Sequence, residues 1–331
     1  MKVVITGGIG FIGVNLARAL LRRGALTAPS GRAEEIDAIV LFDQVVPDAL
    51  PAGLDARVTM RTGDISDRET VFALVDRDDV SVFHLASVVS AGGEKDFDLA
   101  MRVNLEGGRH VFEAARTRNG RPRVVFASSV AVFGGDAMPD TVGDSTKQMP
   151  QTTYGMTKAI GELMVNDYTR KGFLDGRSAR LPTIFIRPGR PNAAASSFAS
   201  GLFREPLNGE ECVLPVREDT RIALLGYRNA IEGLIRLHEA DGAAIGGDRA
   251  LSLPARSYSV AEMIEGLERV AAASGITLGP ITPRPDPAIE RIVAGWPSGW
   301  DSARADALGL PNDESLDGVI QDFIDDFLGR G

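Results

Sequence analysis

The chain of 331 residues has a single cysteine, Cys212, so no internal disulfide can form, which fits a reducing compartment. Cys212 sits in the apolar run Cys212-Val213-Leu214 and reads as a buried, inert thiol. Histidine is also scarce. Of the three, His84 lies in an apolar strand-like run and reads as a satisfied core residue. His110 and His238 fall in helical stretches and form no metal-ligand spacing with a cysteine or carboxylate cluster, so no metal is expected. A basic excess is missing too: 36 Lys and Arg against 45 Asp and Glu leave a net charge of -9, whereas a nucleic-acid binder is usually basic. No apolar run is long enough to cross a bilayer. Gly7-Gly8 interrupts the first apolar segment before it could serve as a secretory signal. A cytoplasmic protein with no membrane or nucleic-acid partner is expected. Neither a G-x-S-x-G elbow nor a P-loop lysine occurs, which argues against a hydrolase or a kinase.

What is present begins at Thr6–Gly13, Thr-Gly-Gly-Ile-Gly-Phe-Ile-Gly. Gly7, Gly10 and Gly13 are spaced G-x-x-G-x-x-G between the apolar run Val3-Val4-Ile5 and a stretch with helical periodicity from Phe11 to Leu21. A strand, a tight glycine turn and a helix N-terminus make a seat for a pyrophosphate, because backbone N–H groups and the helix dipole both favour an anion there. A side chain at Gly7 or Gly10 would obstruct the turn or the phosphates, and one at Gly13 would push the helix off the sheet.

Apolar strand-like runs then alternate with helical stretches. The runs are 38–42 ending at Asp43, 57–60 leading to Gly63-Asp64-Ile65, 80–86 and 123–128; helices are expected near 67–76, 98–117 and 153–171. This alternation predicts an α/β fold, a Rossmann-type doubly wound parallel sheet covered on both faces. The polar stretch Gly24–Asp37 reads as a surface excursion, and 183–189 as one more strand. Helices are expected near 227–240, 259–273 and 314–328, the second with a capping box from Ser259 and Glu262. The layout predicts a dinucleotide-binding domain over 1–188 plus about 221–253. Residues 189–220 and 254–331 would form a smaller substrate-binding region.

Asp43 stands where a carboxylate can bind the adenosine ribose hydroxyls and repel a 2′-phosphate, and Gln44-Val45-Val46-Pro47 brings no cation beside it, so NAD is favoured over NADP. Asp64 suits an adenine amino group or, equally by pattern, a turn. Tyr154 and Lys158 are one helical turn apart and share a face. A tyrosine near its unperturbed pKa of about 10 is a poor base at neutral pH. A neighbouring ammonium and a positive nicotinamide ring favour its phenolate, which can take a proton from a substrate hydroxyl as hydride leaves the carbon. Ser128-Ser129 ends a predicted parallel strand, where ligands bind, and one of the two hydroxyls can hold the reacting oxygen.

Together, Thr6–Gly13, Asp64-Ile65, His84-Leu85-Ala86, Val103-Asn104, Ser128-Ser129, Tyr154-Gly-Met-Thr-Lys158 and Arg187-Pro188-Gly189 resemble the extended short-chain dehydrogenase/reductase family, the NAD-dependent epimerase/dehydratase group. The matches keep the family's order over the first two-thirds of the chain. The resemblance implies a seven-stranded sheet and a catalytic set of Ser129, Tyr154 and Lys158, with Ser129 preferred for its family spacing to the tyrosine. It implies a cofactor site of Gly7, Gly10, Phe11, Ile12, Asp43, Asp64, Ile65, Leu85, Ala86, Asn104, Tyr154, Lys158 and Pro188, and a homodimer through the helices near 98–117 and 153–171. Phe133 replaces the family's usual tyrosine. The stretch Arg187–Ser200, with Arg204-Glu-Pro-Leu207, Asp219-Thr-Arg221, Trp296 and Asp301–Ala305, resembles the D-erythronate dehydrogenase subgroup, whose members oxidise a four-carbon sugar acid at C2. On that basis Ser90, Ser129, Tyr154, Arg190, Asn192, Ser196 and Arg221 are expected around a sugar acid, with Arg190 or Arg221 on its carboxylate. The competing expectations are a sugar-nucleotide epimerase or dehydratase, which would not consume NAD, and a non-catalytic NAD sensor.

Overall fold

The computed structural model describes residues 1–189 and 196–329. The first half runs β1 (Lys2–Thr6), α1 (Phe11–Arg23), β2 (Ala25–Thr27), β3 (Ala33–Glu35), β4 (Ala38–Asp43), β5 (Val58–Thr62), α2 (Arg68–Leu74), β6 (Val80–His84), α3 (Ser90–Lys95) and α4 (Phe97–Ala100). A π-helical turn (Met101–Glu106) follows, then α5 (Gly107–Arg116), β7 (Arg123–Ser129), β8 (Thr141–Val142), α6 (Thr153–Arg170) and β9 (Asp175–Leu181). The second half runs β10 (Thr183–Phe185), α7 (Ser197–Leu207), β11 (Cys212–Leu214), β12 (Arg221–Gly226), α8 (Tyr227–Glu239), α9 (Gly242–Ile245) and β13 (Ala250–Ser252). It closes with β14 (Arg256–Ser259), α10 (Val260–Ser274), β15 (Ile281–Pro283), α11 (Pro287–Ala294), β16 (Gly299–Trp300), α12 (Ala303–Ala307) and α13 (Leu316–Phe327).

The central sheet has seven strands in the order β13-β9-β7-β6-β1-β4-β5. Every pairing within it is parallel. Apolar strands buried on both faces make this possible: all five residues of β1 and of β6 are buried. One face packs on α1 and α8 through Leu16, Leu20, Ile231 and Leu234. The other packs on α2, α5 and α6 through Val71, Val111, Phe112 and Val165. A separate cluster joins Phe203 of α7, Leu267 of α10 and Phe323 of α13. The chain leaves β1 towards β4 on one side and returns to β6 on the other, so the switch point lies beside β1, where a ligand crevice forms in such sheets.

One expectation needs correction. The strand beyond β7 is β9, whereas β10 covers only Thr183–Phe185 and belongs to a small sheet, β10-β12-β14. Strand β9 escapes a hydropathy reading because it carries Arg177 and Arg180, both buried and held by carboxylates. The helix expected near 98–117 is present as a continuous helical stretch, α4, the π-helical turn and α5, from Phe97 to Arg116. The polar excursion at 24–37 is a hairpin of β2 and β3. The expected capping box of Ser259 and Glu262 is present, and Asp67, Thr152 and Ser315 cap their helices by accepting from one first-turn amide each.

Candidate functional site: a dinucleotide groove and a Ser-Tyr-Lys cluster

The turn after β1 places Gly7 at φ +68° against the segment that follows β6. A Cβ there would lie 2.8 Å from the Ala86 nitrogen. At Gly13 a Cβ would lie 2.6 Å from the Gly7 carbonyl oxygen, so this glycine lets α1 start against the turn itself rather than against the sheet. Gly10 stands at the N-cap of α1 and offers no side chain to the first helical amides, which leaves them to an outside acceptor. A groove of about 340 Å³ opens beside the turn, and Gly7, Gly10, Asp43, Asp64, Ile65, Leu85 and Ala86 all line it. These residues fit a dinucleotide: a backbone nest for phosphate at one end, apolar walls, and a carboxylate at the end of β4. Asp43 is half-buried. Its Oδ2 accepts from the Ile9 amide at 3.1 Å and its Oδ1 from the Gln44 amide at 2.8 Å, so it also pins the glycine turn. Asp64 is exposed and its Oδ1 accepts from the Ser66 amide and hydroxyl, a turn that holds its carboxyl below the ordinary carboxylate range.

The expected catalytic groups stand at the end of β7 and the start of α6. Ser128 is buried and donates to Glu162 at 2.5 Å. Ser129 is the serine beside Tyr154, and its Oγ also accepts from the Ala131 amide at 3.1 Å. Burial raises the Tyr154 phenol above its ordinary pKa, and the Ser129 hydrogen bond pulls it the other way. Lys158 is 3 % exposed, with Nζ 5.5 Å from the Tyr154 ring centre and 4.9 Å from that of Phe126. Burial brings its ammonium down to about 7. Its charge also helps keep buried His84 neutral, near 3, with burial the larger cause. His84 is the expected core residue, but only half-satisfied: Nδ1 shares a 2.7 Å hydrogen bond with Thr6 Oγ1, while Nε2 has no partner among the described residues.

The Lys158 shift carries a stability consequence. Below pH 7 the fold holds a buried cation. Between about 7 and 10.5 the unfolded chain keeps a proton that the folded one has released, so this group makes folding more favourable as pH rises through that window. Lys158→Met is expected to raise the melting temperature of the cofactor-free protein at pH 6, with the gain shrinking towards pH 10. A pH-independent difference in melts would contradict this.

Asn104 does not line the groove. It sits in the π-helical turn, buried, with Oδ1 accepting from the Val88 amide (2.7 Å) and Nδ2 donating to the Val88 carbonyl (3.0 Å) and to Thr157 (3.2 Å). It thus ties the segment after β6 to α6. Phe11, Ile12, Pro188, Tyr154 and Lys158 are likewise not among the groove walls. Pro188 follows Arg187, whose backbone is joined to α7 by Ser200 (3.1 Å) and Arg204 (2.9 Å). Ser90 opens α3, which is held beside the start of α6 by Glu94 accepting from the Thr153 amide at 2.8 Å. Ser196 is half-buried at the N-cap of α7. Arg190 and Asn192 lie outside the described residues. Arg221 is exposed, donates to the Ser257 carbonyl at 3.0 Å and pairs with Glu262 at 3.3 Å; neither contact joins it to Ser129 or Tyr154. Cys212 is buried in β11, and burial pushes its thiol up to about 11.

Glu162 escapes sequence reasoning, although it continues the Tyr154–Lys158 row by one more turn. It accepts from Ser128, from Gln148 and from Arg180 (Nη2 at 2.8 Å, Nε at 3.0 Å). Arg180 also reaches the Asp144 carbonyl, and Asp144 pairs with Arg304 of α12 at 3.2 Å. Phe133 is buried, with the Arg180 guanidinium 5.2 Å from its ring centre and Trp300 packed edge-on against it.

A glycine-turn groove at the sheet switch point, with hydroxyl, phenol and ammonium beside it, defines a dinucleotide-dependent oxidoreductase of the Rossmann type. The chain belongs to the NAD-dependent epimerase/dehydratase family, whose model matches residues 3–247, and its cofactor is NAD. It is 47% identical to a D-erythronate dehydrogenase of Cupriavidus necator over 98% of both chains. It is 40% identical to one of Haemophilus influenzae over 98% of this chain and 99% of that one. Among solved structures, a nucleoside-diphosphate-sugar epimerase of Agrobacterium tumefaciens superposes with a TM-score of 0.90 at 41% identity, covering 100% of this chain and 95% of the other. Among the described residues no helix is long and apolar enough to cross a membrane.

Proposed function

We propose that the protein oxidises a small sugar acid at C2, with D-erythronate becoming 2-dehydro-D-erythronate. The observation that carries this reading is the 47% identity to a D-erythronate dehydrogenase along nearly the whole of both chains. The cluster at the end of β7 supports it with a base for a substrate hydroxyl. NAD, when bound, supplies the acceptor for the C2 hydride. Tyr154 Oη takes the proton of the C2 hydroxyl, Ser129 Oγ orients that hydroxyl, and the Lys158 ammonium stabilises the phenolate. Gly7, Gly10, Phe11 and Ile12 offer backbone to the pyrophosphate, and Asp43 takes the adenosine ribose. Asp64 and Ile65 frame the adenine; Leu85, Ala86, Lys158 and Pro188 frame the nicotinamide riboside, with Asn104 acting from behind through Val88.

Ser90, Asn192 and Ser196 supply small polar contacts to the substrate. Its carboxylate takes Arg190, or Arg221 if that side chain leaves Glu262. In this reading 1–188 and about 221–253 hold the cofactor, while 189–220 and 254–331 shape the cover. A cytoplasmic homodimer is part of the same proposal, supported by the exposed Phe97 on α4 and Leu163 on α6.

The solved structure described as a nucleoside-diphosphate-sugar epimerase favours a second reading, in which hydride returns to the substrate and NAD is not consumed. A pure NAD sensor would not need the Ser-Tyr-Lys set. The deciding assay follows NADH with four-carbon aldonates, uronates and UDP-sugars. Steady NADH from D-erythronate is expected; no NADH from any free acid, with a UDP-sugar epimerised instead, would overturn the proposal.

A further inference from the structure

The amino ends of the strands, opposite the cofactor groove, carry a second cavity of about 380 Å³. The hairpin of β2 and β3 walls it through Pro29 and Gly31, packed against Gly120. Thr27 anchors that hairpin by its amide (3.0 Å) and hydroxyl (3.2 Å) to Glu239 of α8. The polar excursion that the cofactor site leaves unexplained thus has a place: it closes this cavity.

The charge in the cavity wall and directly behind it is unbalanced. Asp175, at the start of β9, pairs with Arg177 (2.6 Å), Arg249 (2.5 Å) and Arg123 (3.4 Å). Three guanidinium groups therefore share one carboxylate. Arg121 adds a fourth at the rim; among the described residues its side chain makes no hydrogen bond or ion pair, and its backbone is left-handed at φ +60°. Asp241, the other carboxylate in the wall, accepts from the Ala243 amide. Arg177 lies behind the wall rather than in it, fully buried, and among the described residues its Nε has no partner. Burial pushes Arg177 down to about 10, and repulsion from Arg123 and Arg249 works against the pull of Asp175. Burial likewise lowers Arg249, with Arg121 and Arg123 repelling it. In a chain of net charge -9, this is a concentrated, partly enclosed positive site.

We propose that this cavity binds a phosphate group, as inorganic phosphate or as the end of a small phosphorylated metabolite. Guanidinium forks match phosphate oxygens, and an anion would offset the positive excess left by three arginines and two aspartates in the wall, with Arg177 behind them drawing further on Asp175. The site is separate from catalysis: β7 runs from Arg123 to Ser129, so the two ends lie roughly 20 Å apart at about 3.3 Å per residue.

The test is calorimetric titration of the protein with inorganic phosphate and with glycerol 3-phosphate. Saturating NAD blocks the glycine turn, and chloride serves as the matched-salt control. Arg121→Asn removes the rim charge with a residue that tolerates left-handed backbone; Arg121→Lys keeps the charge. Binding is expected in the parent, on the order of tenfold weaker in Arg121→Asn and largely kept in Arg121→Lys, with turnover unchanged in both. Tighter binding of glycerol 3-phosphate would point to a metabolite, and equal binding to the free ion. No phosphate binding beyond the chloride control, or equal affinity in parent and Arg121→Asn, overturns the proposal. If Arg121→Asn loses its melting transition, Arg121→Lys decides: affinity close to the parent's supports the proposal, and phosphate binding lost in a folded Arg121→Lys overturns it.

Discussion

Tyr154→Phe is expected to lower turnover by about 10²–10⁴-fold, the usual contribution of a positioned acid or base, while NAD affinity stays nearly unchanged. The substitution removes one oxygen from a helix start whose fold depends on Thr152 as N-cap and on the Glu94–Thr153 contact, neither of which involves the phenol. Without cofactor, burial leaves Tyr154 protonated and Lys158 close to half-charged at pH 7. Oxidation should therefore accelerate with rising pH as the phenol loses its proton, the positive nicotinamide ring having brought that loss closer to neutrality. Steady-state rates against pH, with NAD titrations monitored by fluorescence, check both halves. Retained activity in Tyr154→Phe would mean that another group is the base.

Glu162→Gln is the second large effect, and it falls on stability. Glu162 is 2 % exposed and Arg180 4 %. Removing one partner of a buried pair strands the other charge, at a cost of about 3–5 kcal/mol. The amide keeps the shape and can still meet Ser128, so the loss should come from Arg180. The double variant Glu162→Met, Arg180→Met should recover much of it, because a buried pair and a well-packed apolar pair are often close in free energy. Urea unfolding of the three proteins measures this. A Glu162→Gln variant as stable as the parent would show that Asp144 alone satisfies Arg180. Ser128 lies next to Ser129, so a lower kcat at unchanged KM in the same variant would show the network positioning Ser129 for the proposed reaction.

The parts of the molecule with local signatures were legible in the sequence. The glycine turn requires particular backbone angles, so it shows as glycines; Asp43 ends an apolar run; Tyr154 and Lys158 share a helical face. Ser129 could be separated from Ser128 only through the family resemblance, since strand neighbours look alike in one dimension, whereas the structure shows Ser128 engaged by Glu162. Strand β9 and Glu162 were missed for a common reason. Each is polar by composition and buried by virtue of the other, and such compensation exists only in three dimensions. Asn104 marks a similar limit: its side chain works on the Val88 backbone, which no spacing announces. Arg221 looked available, but its cation is engaged by Glu262, which is distant in the sequence and brought in by the pairing of β12 with β14.

The central claim is hydride transfer from C2 of a sugar acid to NAD. D-erythronate deuterated at C2, incubated with the protein and NAD, tests it by the mass of the dinucleotide produced. NADH carrying one deuterium, formed together with an equal amount of the 2-keto acid, is the expected result. Deuterium retained in the acid with no reduced dinucleotide would contradict it.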